Sequence, residues 1–458
     1  MADSEKTPVD SRVLDEFIEK ANSLFDKEAA EEAARRTGFV RRESELSGHL
    51  FLTVFAFGMS VYGTPTLEQL VSLMKAAVPE FDISRSGLHQ RINERAVDFF
   101  EFALSKAIRL RVPSNFNLNS LKKFESVLII DSTSFQVPKN LEDIFPGSGG
   151  KASGAAVKIQ FGYDLKKARF FYLLQEGNRP DNCERNGFLE EIRPGDLIVR
   201  DLGYFSTKSF KEIDDKKAYY LSRLKSDVAI YPKDETGSLV KKDLTEIVKD
   251  AKCTPREFEI SIKSGKDFTS ARLVIEKVPE AIYSERLRKI NENHRKKGRT
   301  VSDRVKLCAS VNLYISNAPP DFLPAERFRP LYGVRWQIEL VFKSWKTNFN
   351  LDKVTGFREE RVKCMIYAKL LFIIVSSHIV FAIKNHTWLT CKSEVSEFRA
   401  CRQMKTYASE WLRLLLQSPG EARDFLKRIA GDISERCRKI KQKDRVYPLE
   451  LLEQILLA

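Results

Sequence analysis

The stretch LYGVRWQIELVFKSWKTNFNLDKV, from Leu331 to Val354, decides how the rest of the chain is read. Its spacing predicts a helix. At about 100° per residue, Tyr332, Arg335, Glu339 and Lys346 fall within an arc of about 60°, and Lys343 lies near the same stripe. Val334, Ile338, Val341 and Trp345 fall on the opposite face. One side is therefore apolar and suited to a core, while the other is a line of Tyr, Arg, Glu and Lys. That line reads two ways. It is either a solvated face carrying an Arg–Glu (i, i+4) pair or a row of groups for a metal and for phosphates.

Two carboxylates far upstream bear on the choice. In FESVLIIDSTSFQV (Phe124–Val137), the continuous apolar run Val127–Ile130 predicts a strand buried on both faces. Asp131 ends that run and is followed by Ser132 and Thr133. DLIVRD (Asp196–Asp201) repeats the arrangement: Asp201 closes a short buried strand, and Gly203 permits a sharp turn after it. Taken singly, each Asp reads as a turn residue. Taken together, two neighbouring strands ending in Asp put two carboxylates on one sheet edge, a common place for sites in open α/β sheets. Adding Glu339 gives three carboxylates, the oxygen donor set that magnesium prefers. Two such ions about 4 Å apart suit phosphodiester cleavage. Arg335, one turn before Glu339, and Lys346, two turns after it, are placed to hold flanking phosphates, and Tyr332 to donate a hydrogen bond to another.

The bulk composition points the same way. The 458 residues are enough for two or three domains and a large core. Seventy-seven Lys and Arg against 63 Asp and Glu give a net charge of +14, which favours a polyanionic partner. The seven cysteines are odd in number and lack zinc-ligand spacing, as expected for reduced thiols in the cytoplasm. The N-terminus is polar and acidic, unlike a signal peptide. Leu370–Ile383 is the longest apolar stretch, and its length and polar residues predict a buried core helix rather than a membrane span. His378 within it reads as a satisfied core histidine.

Elsewhere, helices are expected over Val13–Arg36, Glu43–Tyr62 and Thr66–Ala77. The segment ISRSGLHQR offers Ser84 or Ser86 as a helix cap, with Arg85 and Arg91 flanking the turn. It reads either as a helix-turn-helix-style DNA module or as part of a small helical bundle. Further strands are expected over Val157–Tyr163, Arg169–Leu174 and Ala218–Leu224. Residues 226–325 read as a β-rich block inserted between two parts of one core, with a hairpin over Phe258–Val278 and a basic helix and loop over Glu285–Thr300. HRKKGR (His294–Arg299) and ERCRKIKQKDR (Glu435–Arg445) are charge runs, either solvated surface or DNA-facing.

Together these residues resemble the DDE transposases of bacterial insertion sequences, in the group marked by a Y-x2-R-x3-E-x6-K signature. Here that signature is Tyr332, Arg335, Glu339 and Lys346. Asp131-Ser132-Thr133 looks like the family's Asp-Ser-Thr, and Asp201-Leu202-Gly203-Tyr204 like its Asp-x-Gly-Tyr. Gly38–Arg42 and SRSGLHQR are similar to its N-terminal region. The resemblance implies an α/β fold with a ribonuclease-H-like core (113–225 and 326–385) and a β-rich insertion (226–325). It also implies a helical DNA-binding domain (1–112) and a helical C-terminal region (386–458). It implies cut-and-paste transposition at terminal inverted repeats, with Asp131, Asp201 and Glu339 binding two Mg²⁺ or Mn²⁺ ions. Tyr332, Arg335, Lys346, Arg223 and Lys225 would contact double-stranded DNA, at transposon ends and target, within a homodimer. One departure concerns a Trp that some relatives carry in the insertion. Trp336, Trp345, Trp388 and Trp411 all lie outside it here, leaving Tyr314 as an aromatic on which a base could stack. Two other readings are a catalytically inactive DNA-binding inhibitor of transposition, against which the intact carboxylates weigh, and a non-specific metal-dependent nuclease.

Overall fold

The apolar run Val127–Ile130 is buried, as its composition requires, but it is only the first half of a longer strand, β1 (Val127–Gln136). The computed structural model describes residues 11–42, 45–112, 121–149, 154–167, 169–181, 188–250 and 255–440. Among the described residues six α-helices precede β1: α1 (Ser11–Asn22), α2 (Lys27–Arg36), α3 (Gly48–Tyr62), α4 (Leu67–Ala77), α5 (Arg85–Arg91) and α6 (Glu94–Ile108). After it come β2 (Ala156–Asp164), β3 (Arg169–Glu176), α7 (Phe188–Glu191), β4 (Leu197–Arg200), α8 (Thr207–Asp215) and β5 (Tyr219–Arg223). The next block holds β6 (Ile230–Tyr231), α9 (Leu244–Asp250), β7 (Arg256–Ser264), β8 (Asp267–Lys277), α10 (Glu280–Lys296), α11 (Asp303–Ala309) and β9 (Val311–Ser316). The remaining described residues are mainly helical: α12 (Phe328–Val334), α13 (Trp336–Phe349), α14 (Glu359–Cys391), α15 (Glu397–Thr406), α16 (Ala408–Gln417) and α17 (Pro419–Arg436).

The strands form one mixed sheet in the order β3-β2-β1-β4-β5-β9-β8-β7-β6. β1 runs antiparallel to β2 and parallel to β4, and β4 is parallel to β5. The hairpin expected over Phe258–Val278 forms as β7 and β8, turning at Gly265, whose φ of +63° suits glycine. The block 226–325 does not build a sheet of its own. β9 pairs antiparallel with β5, Leu221 opposite Ser316, so β6 to β9 continue the core sheet. Helices α9 to α11 occupy about as much of the block as its strands do, so β-rich describes it incompletely.

Side chains alternate across the sheet, as a strand dictates. Val127 and Ile129 face a large apolar cluster that also holds Phe17, Phe57, Trp345, Ile374 and Trp411. Leu128 and Ile130 face a second cluster with Ile198, Phe210, Tyr220, Ile247 and Ile315. The first cluster is organised by α14, which packs against α1, α3, α6 and α17. This helix is long and apolar enough to cross a membrane, yet 94% of its apolar window is buried inside the protein. The helices of the N- and C-terminal regions thus share one core with the sheet. His378 is fully buried in α14, its ring 4.7 Å from that of Phe170, and burial drives its pKa down to about 3. It is a neutral core residue whose ring is placed near the Ile374 carbonyl.

Ser84, not Ser86, caps α5, accepting from the Gly87 N–H at 3.0 Å. The two arginines around that turn are engaged within the protein. Arg85 pairs with Glu68 at 2.9 Å, and Arg91 lies over the Phe39 ring and donates to the Phe39 carbonyl at 3.3 Å.

Candidate active site

Parallel pairing sets the first two carboxylates side by side. Ile130 stands opposite Arg200, where β4 ends, so Asp131 and Asp201 are the next residues on neighbouring strands. Asp131 is not a strand tip as expected. β1 continues past it to Gln136 on β2 alone, with Asp131 opposite Phe161. Asp201 caps a short 3-10 turn and accepts from the Gly203 N–H at 3.3 Å.

The third carboxylate comes from the segment Leu331–Val354. It is helical, but not one unbroken α-helix. Arg335 joins α12 to α13 with helical dihedrals (φ −51°, ψ −39°). Around it, bonds from the Arg335 N–H to the Tyr332 carbonyl and from the Ile338 N–H to the Arg335 carbonyl span only three residues. Val334, Ile338, Val341 and Trp345 are buried as their spacing requires, and the Trp345 indole N–H donates to Ser377 of α14 at 3.1 Å. The opposite face is not simply solvated: Tyr332 and Arg335 are 8% and 9% exposed.

Arg335 lies at the centre. Its guanidinium is 3.1 Å from Asp131, 3.5 Å from Asp201 and 2.7 Å from Glu339. The Tyr332 hydroxyl is 3.5 Å from the same Asp201 oxygen. Burial raises the Asp131 pKa to about 6, assisted by the nearby Asp201 and Glu339, while the Ser132 N–H at 2.8 Å and Arg335 hold it back. Burial pulls the Arg335 pKa down, but Tyr332, Asp201 and Glu339 more than restore it, leaving it above the usual value. As the side chains stand, no three acidic, His or Cys groups among the described residues surround a single point for a metal, and the guanidinium lies between these three. The donor chemistry nevertheless fits a hard divalent cation: all oxygen, carboxylate, and gathered around one positive charge.

Lys346 lies further along α13 and donates to the Ser134 carbonyl of β1 at 3.0 Å, and burial lowers its pKa. Arg223 ends β5 opposite Tyr314, and its charge acts on the Tyr332 hydroxyl. The Lys225 ammonium lies 5.5 Å from the Phe205 ring centre. Tyr314 is unavailable for base stacking, being 5% exposed and packed 5.4 Å from the Tyr332 ring. Helix α10, by contrast, buries none of its residues, so His294–Lys296 of the HRKKGR run lie on an exposed helix. Of the second run, residues 441–445 lie outside the described residues.

Sequence reasoning missed Asp181. It follows β3, accepts from the Ser132 hydroxyl at 2.7 Å and pairs with Lys158 of β2 at 3.0 Å. No periodicity marks it; an Asp beside Pro180 and Asn182 looks like any turn residue.

Residues 122–375 match the family described as transposase DDE domain. The chain is 33% identical over 430 residues to the transposase for insertion sequence element IS231F of Bacillus thuringiensis subsp. israelensis, spanning 90% of this chain and 89% of that protein. It is 28% identical over 403 residues to the transposase for insertion sequence element IS1151 of Clostridium perfringens, spanning 84% of each. A cryo-EM structure of a piggyBac transposase synaptic complex with hairpin DNA aligns at a TM-score of 0.44 and 12% identity, covering 90% of this chain and 85% of that one.

Proposed function

The chain belongs to the DDE transposases of bacterial insertion sequences, and from that premise we propose that Asp131, Asp201 and Glu339 hold two divalent ions, Mg²⁺ or Mn²⁺, for cut-and-paste transposition. The observation that carries the proposal is the gathering of three carboxylates, from β1, the end of β4 and α13, within 3.5 Å of one guanidinium. Bound there, the ions would supply an activated hydroxyl or water and a charge that stabilises the leaving oxygen. The mixed arrangement β3-β2-β1-β4-β5, with the aspartates on central neighbouring strands and a helix laid beside them, supports a ribonuclease-H-like reading of the core.

The chain's own residues have distinct tasks in this reading. Arg335 offsets part of the carboxylates' charge when no other cation is present. When DNA arrives, it turns its fork to a phosphate beside the scissile bond, a geometry that arginine suits. Tyr332 donates a hydrogen bond to the same backbone and helps orient Asp201. Lys346, Arg223 and Lys225 extend positive charge outward from the carboxylates along the DNA path. Residues 1–112 recognise the terminal inverted repeats, the C-terminal helices help pair two subunits, and the reaction takes place on double-stranded DNA in the cytoplasm.

The test is strand cleavage. A labelled duplex bearing the element's terminal repeat, mixed with the protein and Mg²⁺ or Mn²⁺, should be nicked at the repeat end and joined to target DNA. Tight binding of that duplex with no nicking under either metal would overturn the active-enzyme reading. Cleavage without end preference or joining would favour the plain nuclease.

A further inference from the structure

We propose that Asp181 is a positioning residue that ties the two aspartate motifs together from behind the sheet. This rests on the reading of Asp131 and Asp201 as metal-holding groups, and it extends that reading to a fourth carboxylate.

Three observations carry it. The first is a hydrogen bond. Successive side chains of a strand point to opposite faces, so Asp131 faces Arg335 and Ser132 faces away. The Ser132 hydroxyl donates to Asp181 Oδ1 at 2.7 Å. The second is a buried counter-ion. The same Asp181 oxygen lies 3.0 Å from the ammonium of Lys158, whose side chain is 11% exposed. Lys158 sits on β2 opposite Ser134 and also donates to the Arg179 carbonyl, so it fixes both the carboxylate and the backbone that presents it. The third is close approach. A methyl group at Gly203, two residues beyond Asp201, would lie 3.3 Å from Asp181 Oδ2 and 3.7 Å from Asp201 Oδ2. The loop after Asp201 therefore has little room for a side chain where it passes Asp181.

These contacts give the motifs a physical reason. Asp-Ser needs its serine because the hydroxyl anchors β1 to Asp181 one residue beyond the metal-holding carboxylate. In Asp-x-Gly, the glycine avoids the tight approach that a methyl group there would make to Asp181. Asp181 thus bonds to the first motif and lies beside the second. Its contribution is the relative placement of Asp131 and Asp201, on which shared metal ligation depends. Partners of this kind typically change metal affinity or activity by 10–100-fold when removed.

The experiment measures Mn²⁺-dependent cleavage of a labelled duplex carrying the terminal repeat, with DNA affinity and thermal unfolding measured in parallel. Asp181→Asn should slow cleavage by roughly 10–100-fold and raise the Mn²⁺ concentration for half-maximal rate. DNA affinity should stay within about twofold of wild type. Ser132→Ala should act in the same direction. Because Asn keeps an oxygen that can accept from Ser132, Asp181→Ala is combined with Ser132→Ala: both break that one contact, so the double variant should be no slower than the slower single, whereas independent effects would multiply. Gly203→Ala should also raise the Mn²⁺ requirement.

If the Asp181 variants fold poorly, Ser132→Ala removes the Ser132–Asp181 hydrogen bond while leaving Lys158 its carboxylate partner, and its Mn²⁺ requirement decides. The proposal is overturned if these variants keep the wild-type Mn²⁺ requirement. It is also overturned if activity falls only in step with folding, or if the effects of Asp181→Ala and Ser132→Ala multiply. Asp131→Ala separates the two levels of the account. If it still cleaves, the metal-site reading fails; if it is inactive while Asp181→Asn behaves as wild type, only the role of Asp181 fails.

Discussion

Two buried cations in this protein each face several carboxylates, and they serve opposite ends. Lys384 of α14 pairs with Glu394 at 3.4 Å and with Glu397, and Lys439 reaches Glu394 at 3.2 Å. Two ammonium groups meet two carboxylates there, and Glu394 is completely shielded from solvent. That cluster pairs its charges around a shielded Glu394, and it joins α14 to the C-terminal helices. Arg335 faces three carboxylates, and the side chains of Asp201 and Glu339 are 40% and 42% exposed. One guanidinium cannot balance three ionised carboxylates, and Asp201 and Glu339 add to the burial that raises the pKa of Asp131. The difference is one of charge balance and access. A shielded cluster of paired charges supports structure, whereas an acidic excess open on one side is suited to admitting further cations.

Substitutions should separate the two clusters sharply. Ala at Asp131, Asp201 or Glu339 should abolish cleavage while DNA binding, measured by gel shift, persists. Lys384→Ala should instead leave buried Glu394 short of a partner and cost about 3–5 kcal/mol in unfolding free energy. Its cleavage rate per folded molecule should stay near wild type. A Lys384 variant that folds normally yet fails to cut would erase the distinction.

A smaller effect tests the role assigned to Arg335. Arg335→Gln removes the cation that competes for the carboxylates, so Mn²⁺ should bind the DNA-free protein on the order of tenfold more tightly, or ~1.4 kcal/mol. Cleavage should nevertheless fall, because the phosphate contact is lost. Calorimetry showing unchanged or weaker Mn²⁺ binding would mean that Arg335 does not occupy the cation's place.

Dependence on pH sharpens the comparison further. The folded pKa of Asp131 is raised from near 4 to about 6, so its contribution to metal-free stability is fully present below pH 4 and is lost as pH rises through about 6. Mn²⁺ affinity should run the other way and weaken as pH falls below about 6, because the bound ion requires the carboxylate. Asp131→Asn should flatten that part of the stability profile. The smallest effect is expected for Lys346→Ala, a several-fold loss of cleavage, since its ammonium only extends the phosphate-binding row beyond the carboxylates.

Much of this site could be read before folding because local rules hold there. The Leu331–Val354 stripe follows from helical spacing, and its apolar side is buried as that spacing demands. The aspartates follow short apolar runs because β1 and β4 are covered on both faces up to Ile130 and Arg200. What stayed hidden is non-local. Asp131 looked like a strand end because the apolar run stops there, yet pairing with β2 carries the strand onward. The pairing of β5 with β9 spans about a hundred residues and leaves no mark on either segment, so the block 226–325 looked detached from the core. Asp181 gains its meaning only from Ser132, Lys158 and Gly203, each remote in sequence. Tyr314 shows the converse error: an aromatic in the right block, but buried against Tyr332.

The central claim is that Asp131, Asp201 and Glu339 together hold the ions that cut DNA. Calorimetric titration of Mn²⁺ into the protein bound to uncut terminal-repeat duplex tests it most directly. Two ions per chain are predicted for wild type, and loss of that binding in the combined Asp131→Asn, Asp201→Asn and Glu339→Gln variant at equal DNA occupancy. Undiminished Mn²⁺ uptake by that variant would contradict the account.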